Sequence, residues 1–440
     1  MQGEIKMQGE IKMFDLRLRS LGEYDVAVCG GGIAGACAAI SAARNGASVI
    51  LIERAGSLGG TLTEGYMPRI IDMKNKGGIV RELFDFLNSH GKSCTRFGKR
   101  TDEQGRIIPG DLVDTEACKV FFDTATRESG VKVLFYSQVA SLEMNGRDVT
   151  SALIVSEFGN YTVSAKIFID ATGHGSVADM AGCAWDTGEP TTHLQHPVSM
   201  GVCAVGMPDG YVGTDTAEEK TAYGNMLLDN GIKITAEQAC VVQLPSLRSW
   251  DMGINFGYSV AHDDVERMTE ATVDGRREIF DVIEAHSKIE GYEGLSEIFT
   301  GSHIGIREGR RVYGEYRITD DDIIEGRRFD DAICLVTFGV DVHKMTEGDT
   351  TVGNRGIKTK PYNIPYRSLV PLDCDNLLLA GRCISGDFYP HSSYRVMGNM
   401  AATGEAAGFA AAECVKNSTR PRTIDGKTVS DFMVSRGYKI

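Results

Sequence analysis

Residues 24–53 read YDVAVCGGGIAGACAAISAARNGASVILIE, and this stretch decides the fold. An apolar run is followed by glycines, by small residues typical of a helix, and by a second apolar run ending at Glu53. The spacing Gly30-x-Gly32-x-x-Gly35 permits a tight turn, close backbone approach to a pyrophosphate, and close helix–strand packing. A pyrophosphate is favoured at the helix N-terminus, and Glu53 is placed to accept hydrogen bonds from ribose hydroxyls. We therefore predict a dinucleotide-binding βαβ unit.

The composition limits the partner and the compartment. The chain has 440 residues, 46 basic and 60 acidic side chains, a net charge of −14, and no basic stripe with interleaved aromatic residues. We therefore expect no nucleic-acid partner. The eleven cysteines include no C-x-x-C pair, and no histidine–acid cluster has metal-ligand spacing. These patterns predict reduced thiols, a cytoplasmic protein and no metal site.

Two segments could be mistaken for a membrane span or a structural repeat. The run 26–43 lacks charged residues, but its glycines fit the strand–turn–helix pattern. We therefore expect no stable membrane insertion. The sequence MQGEIK occurs twice in the first twelve residues. We interpret this as a start-site duplication or as part of a disordered leader, residues 1–20, and not as a structural repeat.

Changes in composition along the chain predict an α/β protein with an interrupted domain. Residues 21–190 are the first part of a Rossmann-like domain, and residues 331–440 are its second part. Residues 191–330, richer in charge and irregular loops, are interpreted as an inserted, mostly β substrate or cap domain. The apolar patterns predict helices at 77–90, 114–129, 263–286 and from about 398, and strands at 131–136, 151–157, 161–169, 331–336 and 376–382.

Three other stretches are suited to close contact with a ligand. Gly59 and Gly60, followed by the hydroxyl of Thr61, come soon after the ribose-binding acid and predict a second contact with the cofactor; a glycine-rich surface turn is the alternative. A buried strand ends in the small residues 171–173. The helix that starts near Gly398 offers a second anion site, suited to the charge on a reduced isoalloxazine ring.

These motifs resemble those of a known family. Four are similar to motifs of FAD-dependent oxidoreductases related to fumarate reductase flavoproteins: GGGxAG at 30–35, GGT at 59–61, DATG at 170–173 and LLAGRCIS at 378–385. Stretches that resemble one bacterial and archaeal branch more specifically lie at 304–311, 341–343, 365–371 and 393–397. The resemblance covers nearly all of the chain after residue 20.

The resemblance implies a flavoprotein that holds one FAD in an extended conformation. By position, the glycine fingerprint would hold the pyrophosphate, Glu53 the adenosine ribose, and the backbone of Val139 the adenine. The residues expected to contact FAD are Gly30, Gly32, Ile33, Ala34, Gly35, Glu53, Arg54, Gly59, Gly60, Thr61, Val139, Ala171, Thr172, Gly173, Gly381, Arg382, Gly398, Asn399 and Met400.

Two departures from related motifs narrow the class. Aromatic hydroxylases with a similar first motif carry Gly-Asp before their last helix, whereas Arg382 follows Gly381 here, which argues against that class. Many related flavoproteins carry an acid directly after Ala-Thr-Gly, whereas this chain has His174, which argues against an acid-dependent role there.

Three residues are candidates for catalysis. His391 and Arg395 lie in the loop before the helix expected next to the flavin, where a histidine can exchange protons and an arginine can bind a carboxylate. His343, near Asp341, is the third. The alternatives are that Arg395 pairs with a structural carboxylate and that His391 only fills the loop. Other charged residues are interpreted as ion-paired, solvated or structural: Arg307, Arg310, Arg311, His193, His196, His262 and His303.

The predicted function is hydride transfer between FAD and a small organic substrate. The chain has no second complete GxGxxG motif, which argues against a permanent NAD(P)H-binding domain. NAD(P)H and an electron-donor protein both remain possible electron sources. Two alternatives stay open: a flavoprotein reductase fed by a protein donor, and an FAD-binding protein without turnover.

Overall fold

The computed structural model describes residues 17–94, 111–214, 216–236, 238–347 and 355–440. Its helices are α1 Ile33–Arg44, α2 Gly78–Ser89, α3 Thr115–Glu128, α4 Ser176–Met180, α5 Ala217–Asp229, α6 Val265–His286, α7 Asp320–Glu325, α8 Phe388–Tyr394, α9 Met397–Asn417 and α10 Gly426–Ser435. Its strands are β1 Leu18–Cys29, β2 Val49–Ile52, β3 Ser93–Cys94, β4 Leu112–Val113, β5 Lys132–Leu134, β6 Ser137–Asn145, β7 Asp148–Ser156, β8 Gly159–Asp170, β9 Trp185–Asp186, β10 Val202–Val205, β11 Cys240–Gln243, β12 Trp250–Gly253, β13 Ser296–Thr300, β14 Arg311–Val312, β15 Ala332–Val336, β16 Tyr362–Pro365 and β17 Leu377–Leu379.

The main sheet confirms the Rossmann-like fold. Its strand order is β5-β2-β1-β8-β7-β6, and β17 pairs with the end of β8. β5, β2, β1, β8 and β17 are mutually parallel, so their carboxyl ends lie at one edge. Cys29 is in register with both Ile52 and Asp170, and Leu379 is in register with Asp170. The turns that follow these strands therefore converge at this edge, where open α/β sheets bind their ligands.

Glycines and alanines let two helices pack together at one face of this sheet. A Cβ added at Gly404 would lie 2.0 Å from the Ala34 carbonyl oxygen, and one added at Gly408 would lie 2.1 Å from the Ala38 oxygen. α1 and α9 therefore approach at backbone distance, which larger side chains would prevent. Among the described residues, no helix is long and apolar enough to cross a membrane.

Within the predicted inserted region, residues 198–304 have a separate core around a second sheet. This antiparallel sheet has the order β11-β12-β10-β13, and α5 and α6 pack near it. The predicted helix at 263–286 is observed as α6, whereas α5 was not predicted. Only Tyr223 and Leu227 of α5 are buried, so its apolar periodicity is weak. Its start is fixed by a capping box between Thr216 and Glu219.

Two segments differ from the predicted organisation. The predicted leader, residues 1–20, partly lies outside the described residues, but β1 already begins at Leu18, where it pairs with Asn160 of β8. The predicted strand at 331–336 exists as β15, but it pairs with β16 in a two-stranded antiparallel sheet and does not enter the main sheet. β17 enters the main sheet in the C-terminal part of the chain.

We expect stability to fall as the pH is lowered, and His286 provides the test. This side chain is 0% exposed, its Nδ1 lies 3.3 Å from the Tyr223 hydroxyl, and burial lowers its pKa to about 4. Because the pKa in the unfolded chain is about 6.5, the unfolded state binds more protons between pH 6.5 and 4. The free energy of unfolding should therefore drop by about 3 kcal/mol over this window from His286 alone.

Urea unfolding at a series of pH values measures this effect. The variant His286→Gln keeps an acceptor for Tyr223 but does not titrate, so its stability should depend less steeply on pH than that of the wild type. Equal slopes for the two proteins would contradict the assignment.

Candidate active site

The three fingerprint glycines have different surroundings. Gly30 has φ +97°, and an added Cβ would lie 2.6 Å from the Ala171 carbonyl oxygen; at Gly35 an added Cβ would lie 1.8 Å from the Gly30 oxygen. Gly32, the residue before α1, has φ −59° and ψ 178°, and an added Cβ would meet no protein atom within 4 Å. Gly30 and Gly35 are therefore needed for packing, whereas Gly32 faces open space suited to a ligand.

The carboxylate of Glu53 bonds to the glycine turn and has hydrogen-bond acceptor positions left for a ligand. Its carboxylate is 7% exposed and accepts hydrogen bonds from the Gly31 N–H (2.5 Å) and the Ala55 N–H (2.7 Å). A carboxylate has about four acceptor positions, so about two remain for ribose hydroxyls. The Ser137 N–H donates to the Glu53 carbonyl oxygen, so β6, which carries Val139, begins beside this acid.

A second glycine loop packs against the fingerprint. The Gly59 N–H donates to the Gly31 carbonyl oxygen over 2.9 Å, and Gly59 forms a parallel bridge with Gly32. An added Cβ at Gly60 would lie 2.9 Å from the Gly32 α-carbon. Gly60 and Thr61 begin a short 3-10 helix, so this predicted contact region lies directly beside the open face of Gly32.

Two arginines act on a histidine that follows β8. The half-buried Arg382 packs against Gly173, and its buried Nε has no hydrogen-bond partner among the described residues. Burial lowers the pKa of Arg382 to about 10, and the nearby charge of Arg54 acts in the same direction. Burial, with Arg382 and Arg54, also holds the pKa of His174 well below its usual range. This excess of positive charge favours an anion.

The turn after β8 is fixed by its own acid. Asp170 is fully buried and accepts hydrogen bonds from the N–H and hydroxyl of Thr172 and from the Ala178 N–H. The Thr172 hydroxyl also accepts from the Ser176 N–H over 3.1 Å. The side chains in this turn therefore bond to each other, Ala171 packs against Gly30, and the space beside Gly173 is taken by the Arg382 guanidinium.

The backbone at the start of α9 does not offer the predicted anion site. The N–H of Gly398 donates to the Ile71 oxygen, and the N–H groups of Asn399 and Met400 both donate to the Val396 oxygen. These three N–H groups therefore already have partners. The side chain of Asn399 is fully buried, and neither its amide oxygen nor its nitrogen has a hydrogen-bond partner in the part of the chain that the structure describes. The amide of Asn399 is therefore suited to contact a ligand.

His343 and Arg395 meet at Asp341. His343 Nε2 lies 3.2 Å from an Asp341 carboxylate oxygen, and Arg395 Nη2 donates to the Asp341 carbonyl oxygen over 2.8 Å. Burial alone would raise the pKa of Asp341, but the hydrogen bond and charge of His343 and the charge of Arg395 hold it well below its usual range. Burial, with Arg307, lowers the pKa of His343 to about 4, so this histidine is neutral at pH 7.

Arg395 is buried and keeps one free side of its guanidinium. Its Nη1 has no hydrogen-bond partner within the described ranges, and burial lowers its pKa, against the opposing charges of Asp341 and Glu308. The alternative that Arg395 has a structural partner therefore holds for Nη2, which donates to Asp341, but not for Nη1.

His391 lies in α8 and is completely buried. Neither ring nitrogen makes a hydrogen bond to a residue that the structure describes. Burial, with the charges of Arg311 and Arg395, keeps its pKa well below the usual range, against an opposing contribution from the Arg382 backbone. His391 is therefore neutral at pH 7, and its role in catalysis stays a prediction.

The structure adds His196, which was expected to be structural, and Arg307, which was expected to be solvated or ion-paired, to this cluster. The centre of the His343 ring lies 6.2 Å from that of His196 and 5.3 Å from that of Phe256. His196 Nε2 lies 3.0 Å from the Ser392 hydroxyl, and its ring stacks on Phe388 with 5.1 Å between centroids. Arg307 donates to the Pro197 carbonyl oxygen over 2.7 Å and lies 4.8 Å from the centre of the Phe256 ring. No spacing in the sequence connects these residues to 341–343, so tertiary structure alone brings them together.

The other candidate cations are in ion pairs. Arg311 pairs with Glu308 and lies 3.0 Å from Asp186, and Arg310 lies 3.1 Å from Asp179. Among the residues described, no group of three or more His, Cys, Asp or Glu side chains is arranged to hold a metal ion.

The parallel sheet and the glycine turn at its carboxyl edge define a dinucleotide-binding protein of the Rossmann-like class. The chain belongs to the family described as FAD dependent oxidoreductase, whose sequence profile matches residues 25–433. FAD is therefore its cofactor, and the protein is an enzyme. The open face of Gly32, the spare acceptors of Glu53 and the unpartnered amide of Asn399 fit this cofactor.

Relatives match parts of the chain. A protein of Methanosarcina barkeri, described as uncharacterized and encoded in the nifH2 5' region, is 31% identical over 185 residues, covering 39% of this chain and 94% of that one. A digeranylgeranylglycerophospholipid reductase of Methanococcus vannielii is 28% identical over 172 residues, covering 38% of this chain and 42% of the reductase. The match therefore spans less than half of the reductase.

One solved structure is similar over most of the chain. BexE, from a study of oxidation during BE-7585A biosynthesis, has a TM-score of 0.50 and 12% identity, covering 94% of this chain and 66% of BexE. At this identity the similarity concerns the fold alone.

Proposed function

We propose that this enzyme transfers a hydride between FAD and a small organic substrate that carries an anionic group. The observation that carries the proposal is the buried Nη1 of Arg395, which has no hydrogen-bond partner in the described part of the chain. Arg395 lies beside the His343–Asp341 pair and four residues before Asn399 in the sequence. A buried guanidinium with a free donor binds a carboxylate or phosphate strongly, because the low dielectric strengthens the charged hydrogen bond.

Each side chain of the cluster has a distinct role in this proposal. FAD, when bound, supplies the hydride chemistry. Arg395 binds the anionic group of the substrate, and Arg307 adds positive charge to the same region. Asp341 orients His343, whose imidazole can exchange a proton with the substrate: it accepts the proton when the substrate is oxidised and, after protonation from solvent, donates it when the substrate is reduced.

The cavity of about 390 Å³ that borders Val342 and Phe388 is not lined by Arg395, Asp341 or His343. The proposal therefore rests on the charged cluster and not on this cavity. Because the match spans only 42% of the methanococcal reductase, the proposal does not transfer the lipid substrate in that protein's name.

The electron source and compartment belong to the same proposal. When the substrate is reduced, NAD(P)H or a donor protein supplies the pair of electrons that FAD passes to the substrate. The eleven cysteines favour a reducing cytoplasm. A flavoprotein reductase fed by a protein donor is the competing function. Membership in the oxidoreductase family argues against a protein that only binds FAD.

The variant Arg395→Met tests the anionic substrate. We expect the photoreduced wild-type enzyme to be reoxidised anaerobically by members of a panel of small unsaturated or keto acids, and not by the matching amides. In Arg395→Met the rate with acids should fall by about 100-fold, because about 2.7 kcal/mol of charged hydrogen bonding is lost.

The bound flavin, measured by its absorbance per protein, should be unchanged in this variant. Arg277→Met, which alters an exposed arginine on α6, is the control and should react as the wild type does. Acids and amides that react equally with the wild type would overturn the anionic substrate. A wild-type flavin that exchanges electrons only with a donor protein would favour the competing function.

A further inference from the structure

One loop connects the FAD fingerprint with the inserted region. On one side, the Gly59 N–H is bonded to the Gly31 oxygen. On the other side, Glu64 is bonded to the chain that follows β13: its carbonyl oxygen accepts from the His303 N–H (3.1 Å) and from the Ser302 hydroxyl (3.2 Å). The Ser302 hydroxyl also contacts the Glu64 carboxylate. The segment 57–66 is therefore held from both sides.

Packing shows how closely these segments fit. An added Cβ at Gly201 would lie 2.4 Å from the Tyr66 carbonyl oxygen, and one at Gly301 would lie 3.0 Å from the Gly65 oxygen. The rings of Tyr66 and Phe299 meet edge to face, with 4.5 Å between centroids. Displacing residues 299–304 would therefore disturb the loop that covers the fingerprint.

A second connection joins His303 to Arg54, the residue after the ribose-binding acid. His303 Nδ1 lies 2.7 Å from the Ile304 carbonyl oxygen, so Nδ1 carries the proton and Nε2 is an acceptor. His303 Nε2 contacts Arg54 Nη2. Burial, with the charge of Arg54, lowers the pKa of His303 to about 4, so the ring is neutral at pH 7 and can accept this bond.

We infer that the inserted region completes the FAD site: Ser302 holds the second glycine loop through Glu64, and His303 positions Arg54. Both act through other residues and are positioning residues for the cofactor. The contacts of residues 299–304 with the second glycine loop and with Arg54 should strengthen FAD binding. Because such coupling is reciprocal, bound FAD should stabilise these contacts by the same free energy. The inference rests on FAD as the cofactor and not on the proposed substrate.

FAD affinity measured by fluorescence titration of the apoprotein tests the inference. We expect the dissociation constant to rise at least 10-fold in Ser302→Ala and in His303→Ala. His303→Gln should recover most of the affinity, because its amide oxygen can accept from Arg54. Ser296→Ala, on exposed β13, is the matched control and should bind FAD as the wild type does.

Hydrogen exchange of the wild type supplies the second readout. Adding FAD should slow exchange at residues 299–304 as well as at the glycine turns. Affinities within twofold of the wild type in folded Ser302→Ala and His303→Ala would overturn the inference, as would unchanged exchange at 299–304. If His303→Ala does not fold, Ser302→Ala and the exchange measurement decide. A failed substrate screen with normal FAD coupling would count against the proposed function alone.

Discussion

Replacing Gly32 with alanine should raise the dissociation constant for FAD more than 100-fold while leaving the apoprotein folded. The backbone at this position, with φ −59°, is accessible to alanine, and the added methyl group would meet no protein atom within 4 Å. Alanine makes the unfolded chain less flexible, which stabilises the folded protein, but it is a poorer residue than glycine at the start of a helix, which destabilises it. Because these two effects oppose each other, the free energy of unfolding should change by less than about 1 kcal/mol. The methyl group would occupy the open space from which a pyrophosphate approaches this turn.

The variant Gly35→Ala is the matched control. Its Cβ would lie 1.8 Å from the Gly30 carbonyl oxygen, so the backbone must move. It should lose about 1–3 kcal/mol of stability even without FAD. Flavin absorbance of the reconstituted protein measures the loss of FAD binding, and urea unfolding of the apoprotein measures the loss of stability. FAD affinity of Gly32→Ala within threefold of the wild type would contradict the assignment of the open face.

Replacing Arg311 with methionine should lower the free energy of unfolding by about 3–5 kcal/mol, because it leaves a buried charge without its partner. Glu308 and the Arg311 side chain are 1% and 2% exposed, and they form an ion pair. Arg311 also lies 3.0 Å from Asp186 and donates to the Gly188 oxygen over 2.9 Å. Glu308 accepts from the Gly188 N–H over 2.7 Å, so the pair fixes this turn from both sides.

Urea unfolding followed by tryptophan fluorescence measures this loss. Trp185, one of two tryptophans, lies on β9, which pairs with the Arg311 strand. The double variant Glu308→Gln/Arg311→Met removes both charges and should recover part of the stability. A single variant that loses less than about 1 kcal/mol would contradict the structural role of the pair.

The proposed function gives two pairs of arginines different roles. Arg382 and Arg54 contribute positive charge at His174 and would face the negative charge of the cofactor, whereas Arg395 and Arg307 contribute positive charge at His343. Binding the cofactor should therefore compensate the first pair and leave the second pair for a substrate. Burial is the main cause of the lowered pKa values of His174 and His343, and the neighbouring arginines act in the same direction.

Part of the site could be predicted because it is encoded by neighbouring residues. The turn from Gly30 to Gly35 and the acid at Glu53 are fixed by glycine geometry and by the length of one βαβ unit. The start of α9 was predicted less well, because the partners of the Gly398 N–H group and of its neighbours depend on Ile71 and Val396. Such partners have no signature in the local sequence.

The sequence by itself determined the Rossmann-like fold, the FAD fingerprint and the acid that follows β2, because each depends on local spacing and apolar periodicity. Tertiary structure alone decided which charged side chains meet. His196 contacts Ser392 across 196 residues, and Arg54 contacts His303 across 249. Only the folded chain shows that Arg311 is buried in an ion pair, whereas Arg395 keeps a donor that no described residue bonds, because burial and partners depend on the packing of distant segments.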